Sequence, residues 1–329
     1  MTTRNILTLI FLSIFSISCD QLTTSFTPKE TFTVVHNEET MPVWVYGKSD
    51  APYILLAAHG GPGSDVLDFR NYQNGVGFKK IEESYLVAYW QQRASGQSKG
   101  SNNTKYFTIS QYVEDLDVVI NELKTRYPSK GIVLLGHSWG GTLTSAYLKD
   151  LTRRTKVVAW IDAAGLHNGT IFSSSTRNDL IREADLRIAA NQNTSYWQDV
   201  KNKAQNTSTP LTEINSLAYG CLNNIPEVVT KVNLADFKHT QRALTSNGAL
   251  FPEILTSNNT SGVSTLTIPV LLLWGKYDFA VSKQLRDELM GVLPPAKLTS
   301  VTMQASGHYM MFHEPELFAS YIKQFMDKL

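Results

Sequence analysis

Ser138 is the residue of this 329-residue chain whose sequence surroundings most clearly indicate chemistry. It stands in the run GHSWGG, residues 136–141, which contains the pattern G-x-S-x-G. The pattern follows an apolar run at residues 131–136 and precedes a helical pattern from Thr142 to Leu151. A serine between a strand and a helix, flanked by glycines, is forced into a sharp turn that exposes its hydroxyl. The pattern therefore predicts a nucleophilic serine.

A serine nucleophile needs a general base to accept its proton, and that base needs a carboxylate to orient it. Asp278 lies in a loop after an apolar run at 268–274, and His308 lies in a glycine-containing loop after another short β-rich run. The chain order serine, aspartate, histidine is the order found where the nucleophile follows a central strand of an α/β sheet. We therefore predict a triad of Ser138, Asp278 and His308. Asp162 is the alternative acid, and capping of the following helix is the alternative role for Asp278.

The other histidines fit the role of a base less well. His313 falls within the helical pattern at the end of the chain, and His137 is the immediate neighbour of the serine, from which its side chain should point away. His36, His167 and His239 are expected to be surface or packing residues.

The negative oxygen of a tetrahedral intermediate needs hydrogen-bond donors, and losing one such donor typically costs about 2.7 to 4 kcal/mol of barrier. One donor is expected to be the backbone N–H of Trp139, at the start of the helix after the serine. The second is expected in the run HGGPG, residues 59–63, which follows a β-rich run at 53–58. Glycine lets a backbone approach a substrate closely, so Gly61 is the predicted donor. A glycine-rich turn without a catalytic part is the alternative.

The chain around these residues alternates between strand-like and helical patterns. Residues 109–126 carry apolar side chains on one stripe and charged ones opposite, which predicts an amphipathic helix. Apolar or β-rich runs that predict strands occur at 31–35, 43–46, 53–58, 85–90, 131–136, 157–161, 268–274 and 298–303. The alternation predicts the α/β class, with a mostly parallel, doubly wound sheet.

The pattern changes between residues 165 and 267, a segment rich in asparagine, serine and threonine with helical stretches and no convincing buried strand. The apolar run at 268–274 then resumes the sheet pattern. We therefore predict a core formed by residues 31–164 and 268–329, with a helical cap, residues 165–267, inserted after the sixth strand. A separate domain boundary is the alternative.

Composition restricts the partners and cofactors. The chain has 30 Lys and Arg against 29 Asp and Glu, without the basic excess that phosphate binding needs, so nucleic acid is not expected as a partner. Its 42% hydrophobic residues are enough for a large core. Two cysteines cannot build a disulfide framework, and no Cys/His spacing suits a metal. No metal or cofactor is expected, because the protein itself supplies nucleophile, base and oxyanion donors.

The N-terminal segment has the layout of an export signal. One charge, Arg4, precedes an apolar run at residues 6–17. A helix of that length spans about 18 Å, less than the ~30 Å of a membrane's hydrocarbon core, so a transmembrane anchor is not favoured. We predict a signal peptide over residues 1–18.

A cysteine directly after this signal suggests a lipid anchor. Ser18-Cys19 resembles the lipobox of bacterial lipoproteins, with Ser16 where leucine is usual. Acylated Cys19 would leave residues 19–30 as a polar tether. We therefore predict a bacterial membrane-anchored lipoprotein that faces the periplasm or the cell surface, and cleavage without lipidation is the alternative. The oligomeric state is left open.

The runs HGGPG and GHSWGG, with the loops of Asp278 and His308, resemble the α/β-hydrolases of the proline iminopeptidase type. These are serine aminopeptidases that release an N-terminal residue, often proline. The resemblance covers roughly residues 31–329 and implies the α/β-hydrolase fold with a helical cap. It also implies the nucleophile, relay and oxyanion-hole roles for Ser138, Asp278, His308, Gly61 and Trp139.

Two features differ from this family pattern. Relatives carry DQRG-x-G-x-S where this chain has Gln91 in place of the acid and Ala94 in place of the glycine, so we expect an ion pair to Arg93 to be lost. Aminopeptidases of this type also hold the substrate amine with cap carboxylates, because a desolvated ammonium needs an opposite charge. The candidate cap acids are Glu183, Glu213, Glu227 and Glu253.

Three functions are compatible with these features. The first is an exported serine aminopeptidase that cleaves proline or a small apolar residue from short peptides. The second is a serine carboxylesterase or carbon–carbon bond hydrolase on small acyl substrates, which needs no amine-binding acid. The third is a non-catalytic, ligand-binding lipoprotein on the same scaffold, because fold alone does not establish chemistry. The complete set of predicted catalytic residues favours the first two.

Overall fold

A computed structural model describes residues 28–329 of the chain. The predicted signal peptide, Cys19 and most of the tether lie outside the described residues. Within the described part, none of the helices combines the length and apolarity needed to cross a membrane.

A nine-stranded sheet forms the centre of the molecule, in the order β1-β2-β4-β3-β6-β7-β8-β9, with the two-residue β5 paired to β2. The strands are β1 (Glu30–His36), β2 (Glu39–Gly47), β3 (Tyr53–Ala58), β4 (Leu86–Trp90), β5 (Lys99–Gly100), β6 (Gly131–His137), β7 (Ala159–Ala163), β8 (Val270–Gly275) and β9 (Leu298–Met303). The strands β1 and β2 are antiparallel to their neighbours, and the pairs from β4 through β9 are parallel. Sheet and flanking helices confirm the predicted α/β-hydrolase fold class.

Helices flank the sheet and fill the segment between β7 and β8. The core helices are α1 (Asp68–Asn71), α2 (Val76–Glu82), α3 (Ile109–Arg126), α4 (Trp139–Leu148), α10 (Lys283–Val292), α11 (Met310–His313) and α12 (Pro315–Met326). Between β7 and β8 lie α5 (Phe172–Ala189), α6 (Thr194–Gln205), α7 (Leu211–Gly220), α8 (Gln241–Thr256) and α9 (Thr260–Val263). This segment follows the sixth strand when the short β5 is not counted.

The central strands are buried along nearly their whole length, because helices cover both faces of a parallel sheet. Every residue of β4, β7 and β8 is buried, and only the first residues of β3 and β6 are partly exposed. Each strand delivers the loop at its carboxyl end to the same edge of the sheet, where α/β folds build their binding sites.

The bounds and the buried face of the helix α3 follow from residues within the helix and directly beside it. Thr108 accepts a hydrogen bond from the backbone N–H of Gln111 and so caps the first turn. The apolar stripe predicted from the sequence is buried, with Leu116 and Ile120 fully covered. Tyr127, with non-helical backbone angles, ends the helix.

Hydrogen bonds connect both ends of the segment between β7 and β8 to the core. Glu288 of α10 accepts hydrogen bonds from Asn168 (2.9 and 3.0 Å) and from the Thr260 hydroxyl (3.0 Å). Asn168 and Asn258 form a β-bridge between the outgoing and the returning chain. The helical segment is thus anchored at both ends.

The segment also has an apolar cluster of its own. Trp197, Val200 and Ile214 are fully buried there. Tyr277 and Phe279, from the loop after β8, join the same cluster. The loop that carries Asp278 therefore packs directly against the helical segment.

Candidate active site

Ser138 occupies the turn between β6 and α4 with φ 57° and ψ −121°. This is a sparsely populated conformation that persists only where the surroundings enforce it. A Cβ on Gly136 would lie 2.5 Å from the carbonyl oxygen of Gly140, and one on Gly140 would lie 2.1 Å from that of Ala58. The glycines flanking the serine are therefore required by the close approach of neighbouring backbone, as in a nucleophile elbow.

Asp278 and His308 lie in contact at the carboxyl edge of the sheet. The distance between Asp278 Oδ2 and His308 Nδ1 is 2.9 Å, and both side chains are buried. Asp278 Oδ1 accepts the backbone N–H groups of Ala280 (3.0 Å) and Val281 (2.8 Å), which fixes the carboxylate. An imidazole that donates from Nδ1 keeps Nε2 as the nitrogen able to accept a proton.

Capping of the next helix is carried by a different residue. The side chain of Ser282 accepts the backbone N–H of Gln284 at 3.1 Å and is the N-cap of α10. The carboxylate of Asp278 is thus available for His308.

The loop of His308 packs against the residue that precedes the serine. His137 donates from Nε2 to the backbone carbonyl of His308 (3.0 Å), and the centres of the two rings lie 4.6 Å apart. Burial lowers the pKa of His137 well below its ordinary value, so this ring is neutral. His137 therefore acts as a support for the His308 loop.

The loop 59–63 lies against the serine from the other side. A Cβ on Gly60 would be 3.0 Å from the Cβ of Ser138. Gly61 has φ 111°, in the region that favours glycine, and a Cβ there would lie 2.6 Å from the backbone nitrogen of Gly63. The backbone of this loop can thus approach the serine in a way that other residues would block.

Gln92 links the two predicted sources of oxyanion donors, and sequence reasoning did not identify it. Its Oε1 accepts the indole N–H of Trp139 (2.9 Å), the first residue of α4. Its Nε2 donates to the backbone carbonyl of His59 (3.0 Å). The signal available in the sequence was its position in the run QQRASGQS.

A cavity of about 270 Å³, here called the main cavity, has Ser138 in its wall. Its lining comes from the loop after β3, from α1, and from the helical segment above the sheet. The residues that line it include Gly61, Asp65, Asp68, Ser138, Tyr219 and His239. His239, expected to be a surface or packing residue, therefore belongs to this cavity.

The two aspartates of the main cavity, Asp65 and Asp68, have raised pKa values. Burial raises the pKa of Asp65. Burial and the neighbouring charge of Asp65 raise the pKa of Asp68 to about 7. Both side chains are partly exposed, Asp65 Oδ1 accepts the backbone N–H of Leu67 (2.9 Å), and a cation beside the two carboxylates would favour their ionised forms.

A smaller cavity of about 80 Å³, here called the side cavity, also reaches Ser138. It shares Gly61, Ser138 and Tyr219 with the main cavity. The rest of its lining is Trp139, Leu166, Phe172, Asn215, Phe251, Ile254, Ala280 and Val281. Two cavities of different size thus meet at the serine.

The four acids suggested as amine ligands are engaged elsewhere. Two of them, Glu183 and Glu227, pair with Arg187 at 2.7 and 3.0 Å. Glu213 lies 3.4 Å from the ammonium of Lys203. Glu253 accepts the backbone N–H of Ile109 at the start of α3. Among the described residues, the lining of the two cavities includes none of the four.

Gln91 supplies no charge to Arg93, as expected, but Arg93 has an ion pair with another residue. Arg93 is fully buried and makes two hydrogen bonds to Asp115, at 2.7 and 2.9 Å. Glu39 lies 3.7 Å away as a second carboxylate. The carboxylates that face Arg93 thus come from α3 and β2. Ala94, at the position where relatives have glycine, takes φ 55°.

The alternative acid and base do not form a pair with His308 or the serine. Asp162 is fully buried, neither carboxyl oxygen has a hydrogen-bond partner, and burial raises its pKa well above the ordinary value. His313 lies in α11, where burial lowers its pKa to about 4. His313 is therefore neutral near pH 7, and burial favours the protonated form of Asp162.

A family model described as serine aminopeptidase, S33, matches residues 72–316. The chain belongs to this family. It is therefore an α/β-hydrolase. The segments over which it is similar to individual relatives differ widely in length.

A probable aminopeptidase of Bacillus subtilis is 34% identical over 92 residues, which are 27% of this chain and 27% of that protein. The chain thus spans only about a quarter of the length of this relative. A proline iminopeptidase of Saccharolobus solfataricus is 24% identical over 284 residues, covering 84% of this chain and 85% of that one. The solved structure of a proline iminopeptidase from Mycobacterium smegmatis superposes with a TM-score of 0.61 at 17% identity, covering 91% and 98% of the two chains. The structural likeness shows the shared fold.

Proposed function

We propose that this α/β-hydrolase is an exported serine aminopeptidase that releases proline or a small apolar residue from the N-terminus of short peptides. The observation that carries the proposal is the lining of the main cavity, in which Ser138 is accompanied by the carboxylates of Asp65 and Asp68. A hydrolase of uncharged esters needs no pair of partly buried carboxylates in the cavity that holds its nucleophile. A substrate with a free ammonium group gives them the opposite charge that they lack.

The proposed reaction begins with proton transfer from the Ser138 hydroxyl to Nε2 of His308 as Oγ attacks the substrate carbonyl. The carbon–nitrogen bond to the leaving amine then breaks, and His308 returns the proton to that nitrogen. Water, deprotonated by the same imidazole, attacks the acyl-enzyme, the bond to Ser138 Oγ breaks as the imidazolium returns the proton to that oxygen, and the free amino acid leaves. Asp278 keeps the imidazole in the required tautomer and stabilises its charged form.

The backbone N–H groups of Gly61 and Trp139 are the proposed donors to the oxyanion. Three features support this assignment: the contact of the 59–63 loop with Ser138, the position of Trp139 at the start of α4, and the bridge that Gln92 makes between the two. Donors fixed in advance stabilise the developing charge without reorganising during the reaction.

Amine recognition is assigned to Asp65 and Asp68 in place of the four acids suggested by the sequence. An ammonium beside them lowers the pKa of Asp68 from about 7 and so keeps it ionised. A peptide with a blocked N-terminus would instead cover these carboxylates without a cation, with only the backbone N–H of Leu67 donating to Asp65 (2.9 Å), which is costly. The pair therefore selects for a free N-terminus.

The test compares the hydrolysis of prolyl and alanyl arylamides with that of 4-nitrophenyl acetate. Wild type and Ser174→Ala, an exposed serine of α5, are expected to cleave the arylamides, whereas Ser138→Ala should lose at least about a thousandfold in kcat. Asp65→Asn combined with Asp68→Asn should lower kcat/KM for the arylamides and leave acetate hydrolysis unchanged. Ester turnover without arylamide turnover by the wild type would refute the aminopeptidase and favour the esterase. Arylamide turnover that survives Ser138→Ala would refute both.

Export and acylation at Cys19 are part of the proposal and have a separate test. The full chain, expressed in a bacterium supplied with an alkyne-tagged fatty acid, should carry the tag in the wild type and lose it in Cys19→Ala. Equal labelling, or none in either, would refute the lipid anchor.

A further inference from the structure

A third cavity adjoins the main cavity and has the opposite charge. It has a volume of about 260 Å³, is here called the lysine cavity, and is formed by α7, the segment after α7 and α11. Tyr219 and Tyr309 line both this cavity and the main cavity, and their stacked rings have centres 6.0 Å apart. Among the described residues that line it, Lys231 is the one charged at pH 7, since burial lowers the pKa of His313 to about 4.

Lys231 has a hydrogen-bond donor to spare. Its Nζ donates to the backbone carbonyls of Leu222 (3.1 Å) and Val228 (2.7 Å), and an ammonium has three N–H groups. Within residues 28–329 no carboxylate pairs with it, and Asp236, five residues later, accepts from Asn233 at 3.1 Å. Lys231 is exposed and forms part of the cavity wall, so a group in the cavity can approach its side chain.

The lysine cavity lies on the side of the site where the leaving amine departs. The ring centres of Tyr219 and Tyr309 lie 5.8 and 5.4 Å from that of His308. In the proposed reaction His308 returns its proton to the nitrogen of the leaving amine, so the rest of the leaving part lies beside this imidazole. Because the two tyrosines contact His308 and line both cavities, they lead from the reacting centre to the lysine cavity.

We propose that Lys231 binds the free C-terminal carboxylate of the leaving part, and that the preferred substrates are therefore dipeptides and tripeptides. This inference rests on the proposed function, which places the substrate ammonium beside Asp65 and Asp68 in the main cavity. Cavities of opposite charge on the two sides of the reacting carbonyl match the opposite charges at the two ends of a short peptide. Lysine ammonium and carboxylate form a charge-assisted hydrogen bond, for which Lys231 has the remaining N–H.

The size of the lysine cavity limits the length of the leaving part. A sphere of 260 Å³ is about 8 Å across, which is about the length of two extended residues. A leaving part of one or two residues thus places its carboxylate inside the cavity. A longer peptide carries its terminal charge past Lys231, and an amidated peptide brings no charge to it.

The experiment compares prolyl-alanine and prolyl-alanyl-alanine with their C-terminal amides, by the release of free proline. At one or both lengths the wild type should favour the free acid by about fivefold in kcat/KM, because an ion pair at an exposed site is of modest strength. Sodium chloride at about 1 M should reduce this preference by screening the charges. The amide serves as an internal reference, since it differs from the acid only at the terminal group.

Two variants remove the charge of Lys231 in different ways. Lys231→Gln keeps a donor for the two backbone carbonyls, and Lys231→Met keeps the length of the side chain. Each should bring the ratio of acid to amide near one, with circular dichroism to check that it is folded. Lys124→Gln, at an exposed lysine of α3 that lines neither the main cavity nor the lysine cavity, should keep the wild-type ratio.

A pair of esters separates this inference from the proposed function. In 3-acetoxybenzoic acid and 3-acetoxybenzamide the leaving phenol carries a carboxylate or an amide, and neither compound has an amine. A preference for the acid that disappears in the Lys231 variants, with no peptide cleaved, would refute the aminopeptidase and keep the role of Lys231. A ratio near one for every pair that the wild type cleaves, or a preference that either folded variant retains, would overturn the inference. No turnover of any of these substrates would refute both.

Discussion

Asp278 Oδ2 lies 2.9 Å from His308 Nδ1, while Oδ1 of the same carboxylate is held by two backbone N–H groups of the next turn. The carboxylate therefore cannot rotate away from the imidazole without losing hydrogen bonds that are themselves buried. This arrangement fixes the ring orientation and the tautomer together, and both are needed if Nε2 is to accept a proton from Ser138.

Asp278→Asn is expected to lower kcat by about ten-thousandfold with little change in KM or in thermal stability. The amide can still accept the two backbone N–H groups, but it presents an N–H to His308 and so favours the wrong tautomer. Asp162→Asn is the matched control, since it changes an equally buried carboxyl that has no hydrogen-bond partner. Steady-state kinetics with the best arylamide measures both variants. An equal loss in Asp162→Asn would reject the assignment of Asp278.

Asp68 is expected to make the aminopeptidase activity depend on pH near neutrality. Its pKa is raised to about 7, so below this pH the group is protonated and offers no charge to the substrate ammonium. The ratio of arylamide to acetate kcat/KM should therefore fall as pH is lowered through about 7 in the wild type. The ratio cancels the titration of the base, because both substrates need His308.

In Asp68→Asn the same ratio should be low, reduced by about tenfold, and should lose the step near pH 7. Glu213→Gln, at an exposed acid of α7 that sequence reasoning suggested as an amine ligand, should keep the wild-type profile. Superimposable profiles for Asp68→Asn and the wild type would show that Asp68 does not bind the amine.

Local sequence signals were sufficient for the elements that carry the site. The helix predicted over 109–126 is α3 residue for residue, and the apolar run at 131–136 is β6 without its last residue. The strained turn at Ser138 could be predicted because Gly136 and Gly140 have no room for a Cβ. The backbone atoms that exclude it belong to Gly140 and to Ala58 of the neighbouring strand β3. Short-range packing of this kind leaves a readable pattern in the sequence.

The carboxylates that we propose to bind the amine could not be predicted in the same way. Glu183 pairs with Arg187 four residues later on α5, and tertiary folding adds Glu227 to the same guanidinium. Asp65 and Asp68 follow directly on the 59–63 loop, and this position was the only signal that they would face the cavity. Three-dimensional packing decides which carboxylates lie beside a cation and which lie in the wall of a cavity.

The partner of Arg93 could not be predicted from the sequence for the same reason. The ion pair that Arg93 forms allows a test of stability. Asp115 and Arg93 are both fully buried, and Asp115 also receives hydrogen bonds from Gln111 (3.0 Å) and His36 (2.7 Å). Removing one member of such a pair leaves a buried charge without full compensation, which typically costs about 3 to 5 kcal/mol. Asp115→Asn should therefore lower the free energy of unfolding by about 3 kcal/mol, since Glu39 compensates part of the charge.

Asp117, two residues further along α3, provides the control for this prediction. It pairs with Lys156 at 2.7 Å, but both side chains are partly exposed, so Asp117→Asn should cost only about 1 kcal/mol or less. Urea unfolding followed by circular dichroism at pH 7 measures the two variants beside the wild type. The contrast depends on burial, because both substitutions remove one carboxylate charge from the same helix and leave an amide of the same shape. Losses of equal size would mean that the Arg93–Asp115 pair is no more shielded from solvent than an ordinary surface ion pair.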